Sequence, residues 1–256
     1  MDQVYIPKNR AGMTAGEYVI ISPLGKKIEE KSIFKPYFYD SKNIEPIKLH
    51  ITEEIFNLIE KEANVENIII TGSFLEPGFK FKDIDILIIN EEKVNIENLK
   101  EKIEKTLGIK AHLILLDTKT LLSGLSTDPL YSLMLSKCVS KKRIILKVNR
   151  KINYKLLDLH LLKSKTLIDN FDILSGDEKY YLTLNMVSIL LFIQNKKLSK
   201  EIVNHEIEKL LKINIEELKE NLIKKQDFIE KYKKIYNKTF NLIMKSIKHE
   251  KQKPAD

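Results

Sequence analysis

Residues 68–90 read IIITGSFLEPGFKFKDIDILIIN, an apolar stretch that carries Asp83 and Asp85 with a single isoleucine between them. Alternate residues of a strand face the same side, so both carboxylates project together from one surface of a sheet. Anions held that close repel, and a divalent cation between them resolves the repulsion. Upstream, Gly72 and Ser73 close the preceding apolar run. A glycine there lets a triphosphate approach the backbone, and the Ser73 hydroxyl and nearby N–H groups can bond its phosphate oxygens. Metal on Asp83 and Asp85, with phosphate on Gly72 and Ser73, makes a set of parts for in-line displacement at phosphorus. The metal neutralises the charge that builds on the α-phosphate and the leaving pyrophosphate.

The elements that must position these residues follow from periodicity. Residues 1–48 hold short β-like runs, QVYIP and EYVIISPL, broken by Gly12, Gly16, Pro23 and Gly25, and are expected to form a small N-terminal β element. Residues 49–150 alternate between α and β. Thr52 is expected to cap the helix EEIFNLIEKEA, followed by the strand NIIITGS, then DIDILII, the helix NIENLKEKIEKTL ended by Gly108, and the strand IKAHLILL. DPLYSLMLSKC reads as a helix and RIILKV as a closing strand. Residues 151–256 are helical, with capping-box spacing at Ser175/Glu178 and Asn214/Glu217. The three- and four-residue steps Leu218, Leu222, Ile229, Tyr232, Tyr236, Phe240, Ile243 and Ile247 predict a long amphipathic last helix above a lysine-rich far side. The expected fold class is α+β: a mixed sheet backed by helices, with a C-terminal helical bundle.

The constellation of apolar strand, Gly72-Ser73, spacer and apolar-Asp83-apolar-Asp85-apolar resembles the nucleotidyltransferase superfamily, which includes DNA polymerase β-like enzymes and minimal nucleotidyltransferases. STDPLYSLMLSKCVSKKRIILK is similar to the Asp-Pro-Leu helix and closing strand of the minimal members. The resemblance covers residues 49–150, as a nucleotidyltransferase domain. It implies an enzyme that moves a nucleoside monophosphate, AMP most simply, from a nucleoside triphosphate to an acceptor hydroxyl on a protein, RNA or small molecule; a cytoplasmic setting is expected separately, from the missing leader signal and the single cysteine. The resemblance further implies Mg²⁺ or Mn²⁺ on Asp83 and Asp85 and ATP as donor. The other reading is a catalytically lapsed copy that binds a nucleotide, protein or nucleic acid as a regulatory module.

The sequence departs from the superfamily pattern in two places. The third carboxylate usual on the next core strand is replaced by His112, and Asp117, five positions later, falls on the opposite face of a straight strand. His112 has three readings: a ligand better suited to Mn²⁺ or Zn²⁺ than to Mg²⁺, a general base, or a side chain filling a slot whose catalytic role has lapsed. After Gly-Ser, the arginine and early glycine often found are absent. Lys80 and Lys82 stand in the loop, as point charges for the triphosphate or as solvated lysines.

Composition bounds the rest. The 256 residues carry 44 basic and 36 acidic side chains, a formal charge of +8, which favours polyanions only mildly. Arg10, Arg143 and Arg150 are the only arginines, so bidentate reading of bases is not indicated. Cys138 cannot pair within the chain and is expected as a buried thiol in an apolar helix; a reducing compartment fits it. No secretory leader is expected at the N-terminus, and MVSILLFI (186–193) is too short to cross a membrane. VYIPKNRAGMTAGEYVIISPL is similar to half of the swapped-hairpin domain of AbrB-type regulators, but the match is short and an edge hairpin is the preferred reading. The Arg-x4-6-His motif of HEPN ribonucleases is absent from the helical part, which leaves a separate HEPN-type protein, or a second copy of this chain, as candidate partner.

Overall fold

The computed structural model describes residues 35–41, 44–144 and 148–251. In chain order the elements are β1 (Tyr37–Tyr39), α1 (Pro46–Glu62), β2 (Asn67–Thr71), β3 (Asp83–Ile89), α2 (Ile96–Leu107), β4 (Lys110–Leu116), α3 (Thr118–Thr127), α4 (Pro129–Ser136) and β5 (Cys138–Ser140). The helices α5 (Tyr154–Asp169), α6 (Gly176–Ile193), α7 (Lys200–Leu211), α8 (Ile215–Lys219) and α9 (Lys225–Lys251) follow. The AbrB-like segment lies outside the described residues.

The described strands form one mixed sheet in the order β1-β5-β2-β3-β4. β2 runs antiparallel to β3, with Thr71 opposite Asp85, and β3 runs parallel to β4, with Asp85 opposite His112. Parallel neighbours need a crossover, and α2 supplies it: Asn95 caps its start by accepting from the Asn98 N–H, and Gly108, at φ 67°, ends it. Strand alternation divides the side chains between two faces. Leu87, Ile89, Ile114 and Leu116 pack with Leu121 of α3 and Met134 of α4. Asp83, Asp85 and His112 share that face by parity and sit beyond its apolar patch.

The second core belongs to α5–α9. Leu157 and Leu161 of α5, Val187 and Leu191 of α6, Ile207 of α7, and Phe228 and Tyr232 of α9 are buried within it. The apolar run 186–193 is therefore the centre of a bundle, and among the described residues no helix is long and apolar enough to cross a membrane. A half-polar seam joins bundle to sheet: Asp128 caps α4 through the Leu130 N–H at 2.8 Å and lies 3.1 Å from Nε2 of His160 on α5. The described residues belong to one compact unit and make an α+β architecture of a mixed sheet backed by helices.

Several boundaries differ from expectation. α1 starts at Pro46, and Thr52 lies within it, its hydroxyl donating to the Lys48 carbonyl one turn back. Proline at the first turn was the stronger start signal, because its missing N–H costs nothing there. Cys138–Ser140 is a strand, Arg143 and Ile144 are outside any strand, and residues 145–147 of the expected closing strand lie outside the described residues. Cys138 is accordingly on a strand, although buried as expected, and burial pushes its thiol up to about 12. Leu218 belongs to the separate helix α8, and Leu222 is 68% exposed between helices, so the apolar stripe of α9 begins only beyond them. Ser175 and Glu178 form the full capping box, whereas Asn214 accepts from the Glu216 N–H without a reciprocal partner.

Candidate functional site

β2 ends at Thr71, and Gly72 then turns the chain at φ 83° into the short 3-10 turn Ser73–Leu75. A side chain at Gly72 would meet two obstacles. Its backbone lies in the region that L-residues rarely adopt, and a Cβ there would overlap the Asp85 carboxylate. The glycine and the aspartate are thus packed against each other, backbone to carboxylate.

Asp85 also meets β4. The parallel register sets it opposite His112, whose Nδ1 is 3.2 Å from Asp85 Oδ1. Burial pushes the Asp85 carboxyl up, the His112 hydrogen bond draws it down, and the Asp83 charge raises it again; the balance lies above the ordinary aspartate range. Asp83, one pleat away, is exposed. Asp117 caps α3 by accepting from the Thr120 N–H, so it is committed to a helix end and away from the third slot.

The loop between the two strands is held by a buried lysine. Lys48 of α1 is fully buried, donates to the carbonyls of Glu76 and Gly78, and lies within 6 Å of the rings of Phe74, Phe79 and Phe81. Its neighbour Glu45 accepts from the Gly78 N–H at 2.7 Å, and that bond above all holds the Glu45 carboxyl down at about 2. Lys80 and Lys82 follow this anchored segment and are exposed.

Ser73, Lys80, Lys82 and Asp83 line one side of a cleft of about 1080 Å³. Tyr181 of α6, Asn204 of α7 and Lys219 of α8 line the rest, so the cleft lies between sheet and bundle. Gly72, Asp85 and His112 join it through their chain and strand-face neighbours Ser73 and Asp83. All seven residues singled out from sequence therefore fall in one region. Among the described residues no group of three or more His, Cys, Asp or Glu side chains is gathered as a metal cage.

No protein-family model and no curated protein gives a significant match to this chain. A solved structure similar to it is a spectinomycin adenyltransferase from Enterococcus faecialis with ATP and spectinomycin, at 15% identity and a TM-score of 0.41, covering 77% of this chain and 98% of that one. A likeness that low carries no part of the site assignment.

Four residues of the site had no place in the motif. Lys48 and Glu76 organise the loop, while Lys137 and Lys200 reach Glu76 at 2.9 and 2.8 Å. Burial pushes the Glu76 carboxyl up, but the hydrogen bonds from Lys200 and Lys137 outweigh it and leave the group below its ordinary range. One sequence signal was available. Lys200 is the first residue of α7 directly after its Ser199 cap, the positive end of a helix dipole, where a cation is disfavoured unless an anion faces it.

Proposed function

We propose that this protein is a metal-dependent nucleotidyltransferase that transfers a nucleoside monophosphate, AMP in the simplest case, from a nucleoside triphosphate to an acceptor hydroxyl. The observation that carries the reading is the packing of Gly72 against Asp85, with Asp83 on the same strand face and Ser73 in the cleft. A bare pair of aspartates would say little; a pair packed against a backbone turn of positive φ supports a phosphate and metal site.

The donor set fits a hard cation. Asp83 and Asp85 offer only carboxylate oxygens, and a cation between them would offset the burial and the Asp83 charge that raise the Asp85 carboxyl. Asp83 and Asp85 would hold a hard divalent cation such as Mg²⁺ beside the nucleotide's phosphates. Such a metal, when bound, supplies charge neutralisation at the phosphates.

The chain's own residues do the rest. Gly72 and Ser73 hold the triphosphate through backbone and hydroxyl, and the exposed ammonium groups of Lys80 and Lys82 attract it as point charges. The acceptor oxygen attacks the α-phosphorus, the bond from that phosphorus to the β-bridging oxygen breaks, and pyrophosphate leaves. With His112 Nδ1–H donated to Asp85, Nε2 carries the lone pair and takes the acceptor's proton. The bundle wall of the cleft receives the acceptor, which by this reading is a protein, an RNA or a small molecule.

The same Asp85–His112 contact favours a second reading, a nucleotidyltransferase fold retired from catalysis. An imidazole on Asp85 partly satisfies that carboxylate without a metal, and a regulatory module that binds nucleotide would need no more. Incubation with α-³²P-labelled ATP, Mg²⁺ or Mn²⁺ and cell extract as acceptor pool separates the two. Label on an acceptor with wild type and none with Asp83→Asn supports the enzyme; equal label with both refutes the mechanism.

A further inference from the structure

Glu76 stands at the centre of a contact between three parts of the chain. It lies just beyond the Ser73 turn, with its N–H bonded to the Ser73 carbonyl and its own carbonyl held by Lys48. Its two carboxylate oxygens are shared out: Oε2 accepts from Lys137, which directly precedes β5, and Oε1 from Lys200, at the start of α7. The lysine side chains are 24% and 36% exposed, and all three residues line the cleft that Ser73 and Asp83 also line. Two ammonium groups converging on one half-buried carboxylate leave this triad one positive charge in excess beside a glycine-serine turn, in a cleft whose lining also carries Asp177, Glu178, Glu201, Glu216 and Glu220. A carboxylate and a phosphate share the chemistry that ammonium groups recognise, a compact anion with several acceptor oxygens. Lys80 and Lys82 are solvated loop cations, whereas Lys137 and Lys200 are aimed at one point and partly buried, so their affinity for an anion is somewhat less screened.

We infer that Lys137 and Lys200 are the cation pair that takes the polyphosphate of the nucleotide, and that Glu76 is a built-in anionic placeholder that the polyphosphate displaces. This rests on the nucleotidyltransferase reading and adds to it a regulation of the same site. In the free protein Glu76 keeps the two lysines together and ties the loop to the bundle. On binding, the phosphate oxygens replace the Glu76 oxygens on both ammonium groups. The carboxylate is thus an internal competitor: it preorganises the lysines and lowers apparent affinity in the same contact. A merely structural ion pair makes the opposite demand, since its loss would loosen the site and weaken binding.

The test is calorimetric titration of the full chain with inorganic tripolyphosphate, without metal, and with ATP plus Mg²⁺. Glu76→Gln keeps shape and removes the competing charge, so it is expected to bind tripolyphosphate several-fold tighter than wild type, with Glu76→Ala moving in the same direction. Lys200→Ala and Lys137→Ala are expected to bind about tenfold weaker, the scale of one lost charge-assisted hydrogen bond, and Lys200→Arg to recover most of the loss. In the Lys200→Ala background Glu76→Gln loses much of its effect, because one contested cation is gone. Weaker or unchanged tripolyphosphate binding by both Glu76 variants, with wild-type circular dichroism, overturns the inference. ATP·Mg²⁺ binding that needs Asp83 yet ignores Glu76, Lys137 and Lys200 overturns this inference alone. Wild type that binds neither ligand sinks both it and the functional reading. Tripolyphosphate binding that follows the lysines, with ATP·Mg²⁺ binding that does not need Asp83, keeps the lysine pair and removes the metal assignment.

Discussion

His112 and Asp85, 27 residues apart in sequence, face each other across parallel strands with Nδ1 3.2 Å from Oδ1. In the metal site proposed above, the histidine stands where a third carboxylate would complete the set, and its Nδ1 faces the Asp85 carboxylate. His112→Asp replaces that donor with a second anion, so in the absence of metal the variant should melt below wild type. Mg²⁺ should raise its melting temperature more than that of wild type, because a cation now relieves like-charge repulsion. If the protein is an enzyme, Mg²⁺-dependent transfer should be preserved or raised in His112→Asp and lowered in His112→Ala. A thermal shift no larger than wild type's at saturating Mg²⁺ would remove this slot from the metal site.

The raised Asp85 carboxyl gives a pH-dependent prediction. A carboxyl whose folded-state pKa lies above its unfolded value binds protons more readily when folded. Its favourable contribution is therefore complete below the unfolded pKa and is lost as pH rises through the folded one. Without metal, Asp85→Asn should be more stable than wild type at neutral pH, and the difference should shrink as pH falls through the carboxylate range. Urea unfolding at a series of pH values measures it; a difference that grows in acid would contradict the assigned shift.

Gly72→Ala should be costly for two separable reasons. Positive φ at a non-glycine residue costs on the order of 1–3 kcal/mol, and overlap with the Asp85 carboxylate adds to it. Removing the carboxylate should return the second part but not the first, so Gly72→Ala in an Asp85→Ala background should be less damaging than in wild type. Additive losses in that double-mutant cycle would show that the two residues do not press on each other.

Lys48 buries an ammonium to hold the loop that precedes Lys80 and Lys82. Lys48→Met keeps much of the side-chain volume but releases the carbonyls of Glu76 and Gly78, at a cost of about 1–3 kcal/mol. Hydrogen exchange should quicken across residues 74–82 while the β2–β3 ladder stays protected. Uniform quickening of both would mean that the lysine supports the whole sheet.

The seam between sheet and bundle depends on His160 and Asp128, whose side chains are each 11% exposed. His160→Ala leaves the Asp128 carboxylate with the Leu130 N–H, its partner within α4, and is expected to lower stability by roughly 1–3 kcal/mol in denaturant unfolding. His160→Gln should lose less, since an amide can still donate to Asp128. Equal losses in the two variants would assign the effect to packing.

The sequence by itself determined what is written in short repeats. The alternation across 83–89 placed Asp83 and Asp85 on one face because strand period does not depend on the neighbouring strand. Gly72 with Ser73, the Asn95 and Gly108 ends of α2 and the Ser175 capping box were likewise legible, since turns and caps satisfy backbone groups within a few residues. Tertiary structure decided the rest. Residues 138–140 became a strand because Cys138 and Val139 fill the space between β1 and β2 in the buried sheet. Thr52 lost its expected cap role to a helix that begins earlier at Pro46, where α1 brings Lys48 under the loop. The meeting of Glu76 with Lys137 and Lys200 spans 61 and 124 residues. No local period encodes such a contact: Lys137 reaches Glu76 because β5 pairs beside β2, and Lys200 reaches it only because the bundle packs against the sheet, with the cleft between them.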